Sequence, residues 1–355
     1  MIDVGLHFFP DCDHRSKPAK DYFAECLDLV ELADELGYHH VRTVEHYFHA
    51  YGGYSPNPLL FLAAAAQRSK NLRLITGAVL PIFTNPLKLA GEIGMVDTIS
   101  DGRLEVGFAR AFLPHEFRRF GVDINESRSR FDEGIAAVEG LLEHENSAFS
   151  GQFHSFEETT SLPRPLQRPR PPFWIAAISS AKSFQRAGEL GYGVMTTALQ
   201  TSAMSSLIAA YRKAWREAGH PGDGRVMIAF QTYCAETSAE ALEAPRDAVN
   251  HYLHSLIDAA SDWAGTTSAD YPGYPEMLAK MAEEDFDSSV KNGSMLAGTP
   301  EEVVESMLRY HEECGGFEIA SLHAHFSTLD PALIRRSVEL FGTRGIPRLR
   351  AMTGG

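Results

Sequence analysis

Cysteine is scarce in this chain. Cys12, Cys26, Cys234 and Cys314 are the only four in 355 residues, and none stands close to another. That spacing excludes a disulfide framework and a cysteine-built zinc site, and it leads us to expect a cytoplasmic chain without structural disulfides. Long apolar runs are missing too. None approaches the roughly 18 residues that a membrane-spanning helix needs. The opening Met1-Ile-Asp-Val-Gly-Leu-His7 has no basic region before an apolar core, so it does not read as a secretory signal. Positive charge is short: 32 Lys and Arg stand against 47 Asp and Glu, a formal net charge of -15. A nucleic-acid partner would call for a basic face, which this balance argues against. The one basic cluster, 164–170, is interleaved with prolines and reads as a loop. No His-Glu-x-x-His pattern occurs, so no metal site is expected.

What the chain does have is apolar residues, 44% of the total, enough for a large core. They are distributed as short strand-like runs separated by helical periodicity. Strands are expected over 2–9, 41–44, 72–80, 104–109, 173–177, 193–196, 226–234 and 317–322. Between them lie helical stretches, among them 86–99, 128–142, 181–190, 203–218 and 300–312. Such alternation implies a parallel sheet with right-handed crossovers. A doubly wound sheet usually places a glycine-rich loop after its first strand. Here that strand runs into Phe9-Pro-Asp-Cys12 instead. Eight units therefore favour a closed (β/α)8 TIM barrel, one domain over 1–355. The excess length falls at about 235–298, between the seventh and eighth strands. Its composition around 264–275 suggests a partly mobile insertion.

Barrel enzymes do their chemistry at the carboxyl ends of the strands. His46 stands just beyond the second run, in Thr43-Val-Glu-His-Tyr-Phe48, and a histidine there can donate or accept a proton. Packing at a barrel end is the plainer alternative. Arg110 ends the fourth strand, where its fork of donors suits a phosphate or, equally, a neighbouring carboxylate. Ser179, Ser180 and Ser183 open a helix, either as an anion site or as an ordinary cap. Phe9, Phe48 and Phe112 lie near strand ends. His7 and His323 belong to the first and eighth strands, which are neighbours in a closed barrel. His254 lies in the insertion, three residues after His251 on one helix face. These six are the candidates for contact with substrate.

At these residues the chain resembles the bacterial luciferase-like flavin monooxygenases, most strongly over 38–131. Glu45-His-Tyr-Phe48 is similar to the family's Glu-His-His-Phe signature. Thr76-Gly-Ala-Val-Leu-Pro81, Asn85-Pro-Leu-Lys-Leu-Ala90, Asp97-Thr-Ile-Ser-Asp-Gly-Arg-Leu104, the stretch 117–128 and Leu296-Ala-Gly-Thr-Pro-Glu-Glu-Val303 match in the same order. The resemblance implies FMN, arriving as FMNH2 from a separate NAD(P)H:flavin reductase. It implies dioxygen activation through a C4a-(hydro)peroxyflavin, and a homodimer. It implies that Arg110 binds the flavin phosphate with Ser179, Ser180 and Ser183. His46 is then the catalytic residue, Ala109 lies beside the flavin, and Thr76–Gly77 is a non-prolyl cis peptide beside its isoalloxazine ring. Three departures stand out. Tyr47 replaces the second histidine, Ala109 replaces a reactive cysteine, and Ser179 replaces a glutamate. They argue against aldehyde specificity and light emission. A small apolar or aromatic metabolite is expected, with hydroxylation, Baeyer–Villiger insertion and heteroatom oxidation all open. Two other readings remain: a deazaflavin-dependent hydride-transfer oxidoreductase, and a non-catalytic flavin-binding protein.

Overall fold

The computed structural model describes residues 1–354. Its strands are β1 (Asp3–Phe8), β2 (His40–Thr43), β3 (Arg73–Val79), β4 (Leu104–Phe108), β5 (Ser147–Ser150), β6 (Ser155–Thr159), β7 (Phe173–Ala176), β8 (Gly193–Thr197), β9 (Val226–Cys234), β10 (Met295–Gly298) and β11 (Ile319–His323). Eight of them, β1, β2, β3, β4, β7, β8, β9 and β11, pair in parallel. β8 bonds to β9 and β11 to β1, which closes the ring. The fold is the (β/α)8 barrel that the alternation of runs predicts.

Strand alternation sorts the side chains into two cores. Outward residues such as Val41, Leu74, Val106 and Val194 pack beneath the helices in the main core. Inward residues Ile75, Trp174, Met195, Met227 and Ile319 form a separate apolar plug inside the barrel. The helices begin where the sequence marks them. Asn57, Asn85 and Thr299 accept backbone N–H bonds as caps, and Pro58, Pro86 and Pro300 follow at the first helical position.

At the barrel floor Glu105 is buried. One carboxylate oxygen accepts from Arg73 Nε at 2.9 Å; the other accepts from Trp174 Nε1 at 2.7 Å and Arg225 at 3.1 Å. Burial opposes its charge, but Arg225 and Arg73 beside it hold the carboxyl below its ordinary value.

Several elements were not foreseen, among them a hairpin and an outer strand. β5 and β6 form an antiparallel hairpin with Phe149 stacked on Phe156. β10 pairs with the outer half of β9, so the insertion adds a strand outside the ring. The rest of the insertion is mostly helical, with helices at Ser238–Glu243, Arg246–Ala259, Tyr274–Met281 and Phe286–Asn292. Only the stretch between the second and third of these matches the irregular composition around 264–275. Among the described residues no helix is long and apolar enough to cross a membrane.

Candidate active site

Past the apolar plug, the inward positions on one side of the barrel become small: Gly77 on β3, Ala109 just after β4, Ala176 on β7, Thr197 on β8 and Ala229 on β9. None is larger than threonine, and Gly77, Ala109, Ala176 and Thr197 keep some exposure, so the mouth is open along this wall. A non-prolyl cis peptide lies in the same wall at Gly77–Ala78. It stands one residue later than the expected Thr76–Gly77. Thr76 itself is fully buried: its hydroxyl donates to Gly107 O at 2.9 Å and accepts from Gly107 N at 2.8 Å. That hydroxyl bridges β3 and β4 where their ladder shifts, and it does not face the mouth.

The opposite wall is aromatic and polar. His46 follows β2 and is buried. Its ring centroid lies 5.6 Å from Phe9, 5.4 Å from Tyr51 and 5.8 Å from Phe112. Its Nδ1 is 3.1 Å from Glu116 Oε1, and the same oxygen accepts from Tyr47 N–H at 2.9 Å. Gly52, at φ +79, presses its backbone onto the ring, so that a Cβ there would sit 2.4 Å from His46 Cβ. His7 and His323 do meet, with centroids 5.7 Å apart, and Phe9 touches both. Tyr252 of the insertion closes over His323 at 4.7 Å. Burial and then its histidine neighbour His325 push His323 down to about 3, and burial and then Arg42 hold His7 well below its ordinary value. Both are therefore neutral imidazoles.

Beside His46, Glu45 is buried, accepting from Tyr47 OH at 2.5 Å and from Leu80 N–H at 3.0 Å. Burial raises its carboxyl from 4.5 to about 7, against the pull of those two bonds. A raised folded value means that stability is highest at low pH and declines as pH climbs from about 4.5 through about 7. The shift corresponds to roughly 3 kcal/mol. Glu45→Gln keeps an acceptor for Leu80 and does not titrate. Compared with the wild type, its urea-unfolding free energy should decline less between pH 5 and pH 8; parallel pH profiles would contradict this.

Arg110 and the serine segment do not touch each other. Arg110 donates to Asp270 O at 3.2 Å and Ser127 Oγ at 3.4 Å, and stands 4.7 Å from the Tyr271 ring. Ser180 caps its helix, accepting from Ser183 N at 3.3 Å, and Ser183 Oγ is 3.2 Å from Ser180 Oγ. Ser179 Oγ lies 3.6 Å from Met277 Sδ. Residues 270–277 of the insertion thus lie against both groups, and Trp263, packed on Tyr271 and Tyr274, ties that segment to Phe112 O at 2.8 Å.

Two expected contacts fall outside the mouth. Phe48 adopts φ 65, which turns its ring outward onto Phe120 and Arg119, and it is 54% exposed. His254 shares its helix face with His251 as expected, but that face lines a surface groove of about 650 Å³ with His14, His49 and Asp258. Sequence reasoning missed Glu116, Tyr51, Tyr252 and Arg42. Among the described residues no cluster of three or more His, Cys, Asp or Glu could hold a metal ion.

The luciferase-like monooxygenase family matches residues 3–315. The chain belongs to that family and with it to a class of flavin-dependent enzymes. The crystal structure of monooxygenase RslO1 from Streptomyces bottropensis is 39% identical, with a TM-score of 0.88 over 98% of this chain and 99% of that one. The oxygenase component of a flavin-dependent trigonelline monooxygenase from Acinetobacter baylyi is 34% identical over 226 residues. That match spans 62% of this chain and 62% of the relative, less than two thirds of the relative's own length. The oxygenating constituent of 3,6-diketocamphane monooxygenase from Pseudomonas putida, solved with FMN, shares the fold at 23% identity and a TM-score of 0.82, covering 98% and 99% of the two chains.

Proposed function

We propose that this protein is the oxygenase of a two-component system, taking FMNH2 from a separate NAD(P)H:flavin reductase and using dioxygen to oxidise a small apolar or aromatic metabolite. The observation that carries this reading is the asymmetry of the mouth. One wall, from Gly77 to Ala229, has room for a flat ring system. The facing wall brings His46, Phe9, Phe112 and Tyr51 together around a proton-carrying group. Buried polar atoms without a protein partner include Arg42 Nε and Gln231 Oε1 on inward strand positions and Glu116 Oε2 beside His46, as a site built for a polar ligand would leave them.

Reduced FMN, when bound, supplies the electrons that activate dioxygen. The chain's own residues do the rest. Gly77, Ala78 and Ala109 offer the ring a surface without projecting side chains. Arg110, with Ser179, Ser180 and Ser183 at the helix start, anchors the phosphate once residues 270–277 yield donors to it. His7, Phe9, Phe112 and His323 form an apolar to weakly polar chamber for substrate. Tyr252 and the 270–277 segment shield that chamber from water. His46, with Nδ1 fixed by Glu116, moves a proton at Nε2. The exposed Leu60, Leu87, Met95 and Ile99 on helices Pro58–Arg68 and Pro86–Ile99 support a homodimer formed through these helices.

Anaerobic titration with FMNH2 and with a reduced deazaflavin, followed by oxygen consumption across a panel of aromatic substrates, tests the reading. Tight FMNH2 binding with substrate-dependent product formation is expected. Preference for the deazaflavin with no oxygen use would replace it with hydride transfer, and flavin binding without any turnover would leave a binding protein.

A further inference from the structure

Arg42 is an anomaly in the barrel. It lies on β2, faces inward and is only 6% exposed. Its guanidinium reaches across the barrel over the plug. One terminal nitrogen is 3.4 Å from Met227 Sδ and 3.9 Å from Met195 Sδ; the other is 3.3 Å from His7 Nδ1. Thioethers are weak acceptors and a neutral imidazole is not a counter-ion. Nε has no partner at all. No carboxylate bonds to this arginine among the described residues, and the one acidic group that acts on its charge is the buried phenol of Tyr252. Burial alone brings the guanidinium down to about 10, so it remains a cation at neutral pH. A buried charge without a counter-charge opposes folding by several kcal/mol. Its persistence calls for an anion that arrives later.

The position indicates which anion. Nε stands against Gly77, where a Cβ would approach it to 2.9 Å. Arg42 therefore lies directly beside the cis-peptide wall, on the side of the mouth built for the ring. The aromatic residues packed around His46 (Phe9, Tyr51 and Phe112) bring no arginine or lysine to that wall. Oxidised flavin is neutral. Reduced flavin at neutral pH has lost the N1 proton and carries its negative charge over N1 and the C2 carbonyl. A lone cation at the ring's edge separates the two forms by charge.

We propose that Arg42 is the counter-ion of the anionic N1–C2=O edge of reduced flavin, and that it makes this site select the reduced cofactor over the oxidised one. The inference rests on the flavin reading above. With it, the uncompensated charge of the free protein and the preference for reduced flavin have the same cause. An oxygenase fed by a separate reductase must take its cofactor from a mixed pool of both redox forms, and Arg42 supplies the discrimination.

The test measures dissociation constants of oxidised FMN and, anaerobically, of dithionite-reduced FMN for the wild type, Arg42→Met and Arg42→Lys. The wild type should bind the reduced form more tightly. Arg42→Met should lose at least about tenfold in reduced-FMN affinity, with oxidised FMN changed less than about threefold. A tenfold loss corresponds to a fall of about 30 mV in the bound flavin's two-electron potential. Arg42→Lys should retain most of the preference. Arg42→Met should also melt no lower than the wild type, since removing an uncompensated buried charge relieves the fold. Equal weakening of both redox forms, or a lower melting temperature with the preference intact, would overturn the proposal in favour of a packing role. A wild type that binds both forms equally would overturn it and leave the flavin site standing. A wild type that binds neither would remove the flavin reading itself.

Discussion

Replacing His46 with alanine is expected to slow the proton-dependent reaction of bound reduced FMN with dioxygen by about 10²-fold, the lower end of what a positioned acid–base group contributes. The reasoning begins at Glu116. Its carboxylate is fully buried in the short helix Pro114–Phe120, and Oε1 already accepts the Tyr47 N–H. With Oε1 as the acceptor, the 3.1 Å contact with His46 Nδ1 puts a hydrogen on Nδ1 and leaves Nε2 free to take or return a proton. Glu116→Gln separates this from simple packing. Its amide oxygen, in the place of Oε1, can still accept from both Tyr47 N–H and Nδ1–H, so the tautomer is kept and only the negative charge beside the imidazole is lost. That variant should fold as the wild type does and still lose about tenfold or more in the same phase. Single-turnover stopped flow reads the rate, and a parallel FMN titration reads the site. Binding should change little in either variant, because neither residue lies on the cis-peptide wall. An unchanged reoxidation rate in His46→Ala would remove the proton role.

This pair also shows why the site was only partly legible in the sequence. His46 could be found because a strand-like run delivers it to a barrel rim, a purely local signal. Glu116 lies 70 residues away and reaches His46 only because β2, β3 and β4 close side by side. In the sequence it is an ordinary acidic residue in the first turn of a helix. Arg42 was hidden differently. The run containing it reads as a strand by its valines, and only the inward–outward sense of β2 distinguishes a solvated arginine from one buried over the plug. Helical periodicity places His251 and His254 on one face, yet periodicity does not say which way a helix turns. It turned these residues to the surface groove. β10 escaped because its four residues run directly into the Thr299 cap of the next helix. The eight barrel strands, by contrast, were each bracketed by breakers and helical stretches, so their order and number could be read without tertiary information.

The largest effect on stability is expected at the opposite end of the barrel, at Glu105. Glu105→Ala leaves the indole N–H of Trp174, a fully buried side chain, without its acceptor, and it leaves Arg73 and Arg225 facing each other without the charge between them. Breaking a buried pair by removing one partner destabilises by about 3–5 kcal/mol. Arg225 is 41% exposed and hydrates more easily, so the effect should fall near the lower figure. Glu105→Gln keeps an oxygen for Trp174 and loses only the charge, so it should cost about half as much or less. The pH dependence has a definite sign. The folded carboxyl lies below its ordinary value, so its stabilisation is complete above that ordinary value and is lost as pH falls through the lowered folded one. The gap between wild type and Glu105→Gln in guanidinium unfolding should therefore be widest at neutral pH and narrow on acidification. A difference that persists undiminished in acid would mean that shape alone, and not charge, fixes the floor. Nothing at the mouth depends directly on this network, but Trp174 belongs to the plug over which Arg42 is laid. Loosening the floor should therefore blur the preference for reduced flavin in Glu105→Ala while Glu105→Gln preserves it, and the same pair of titrations would detect the difference.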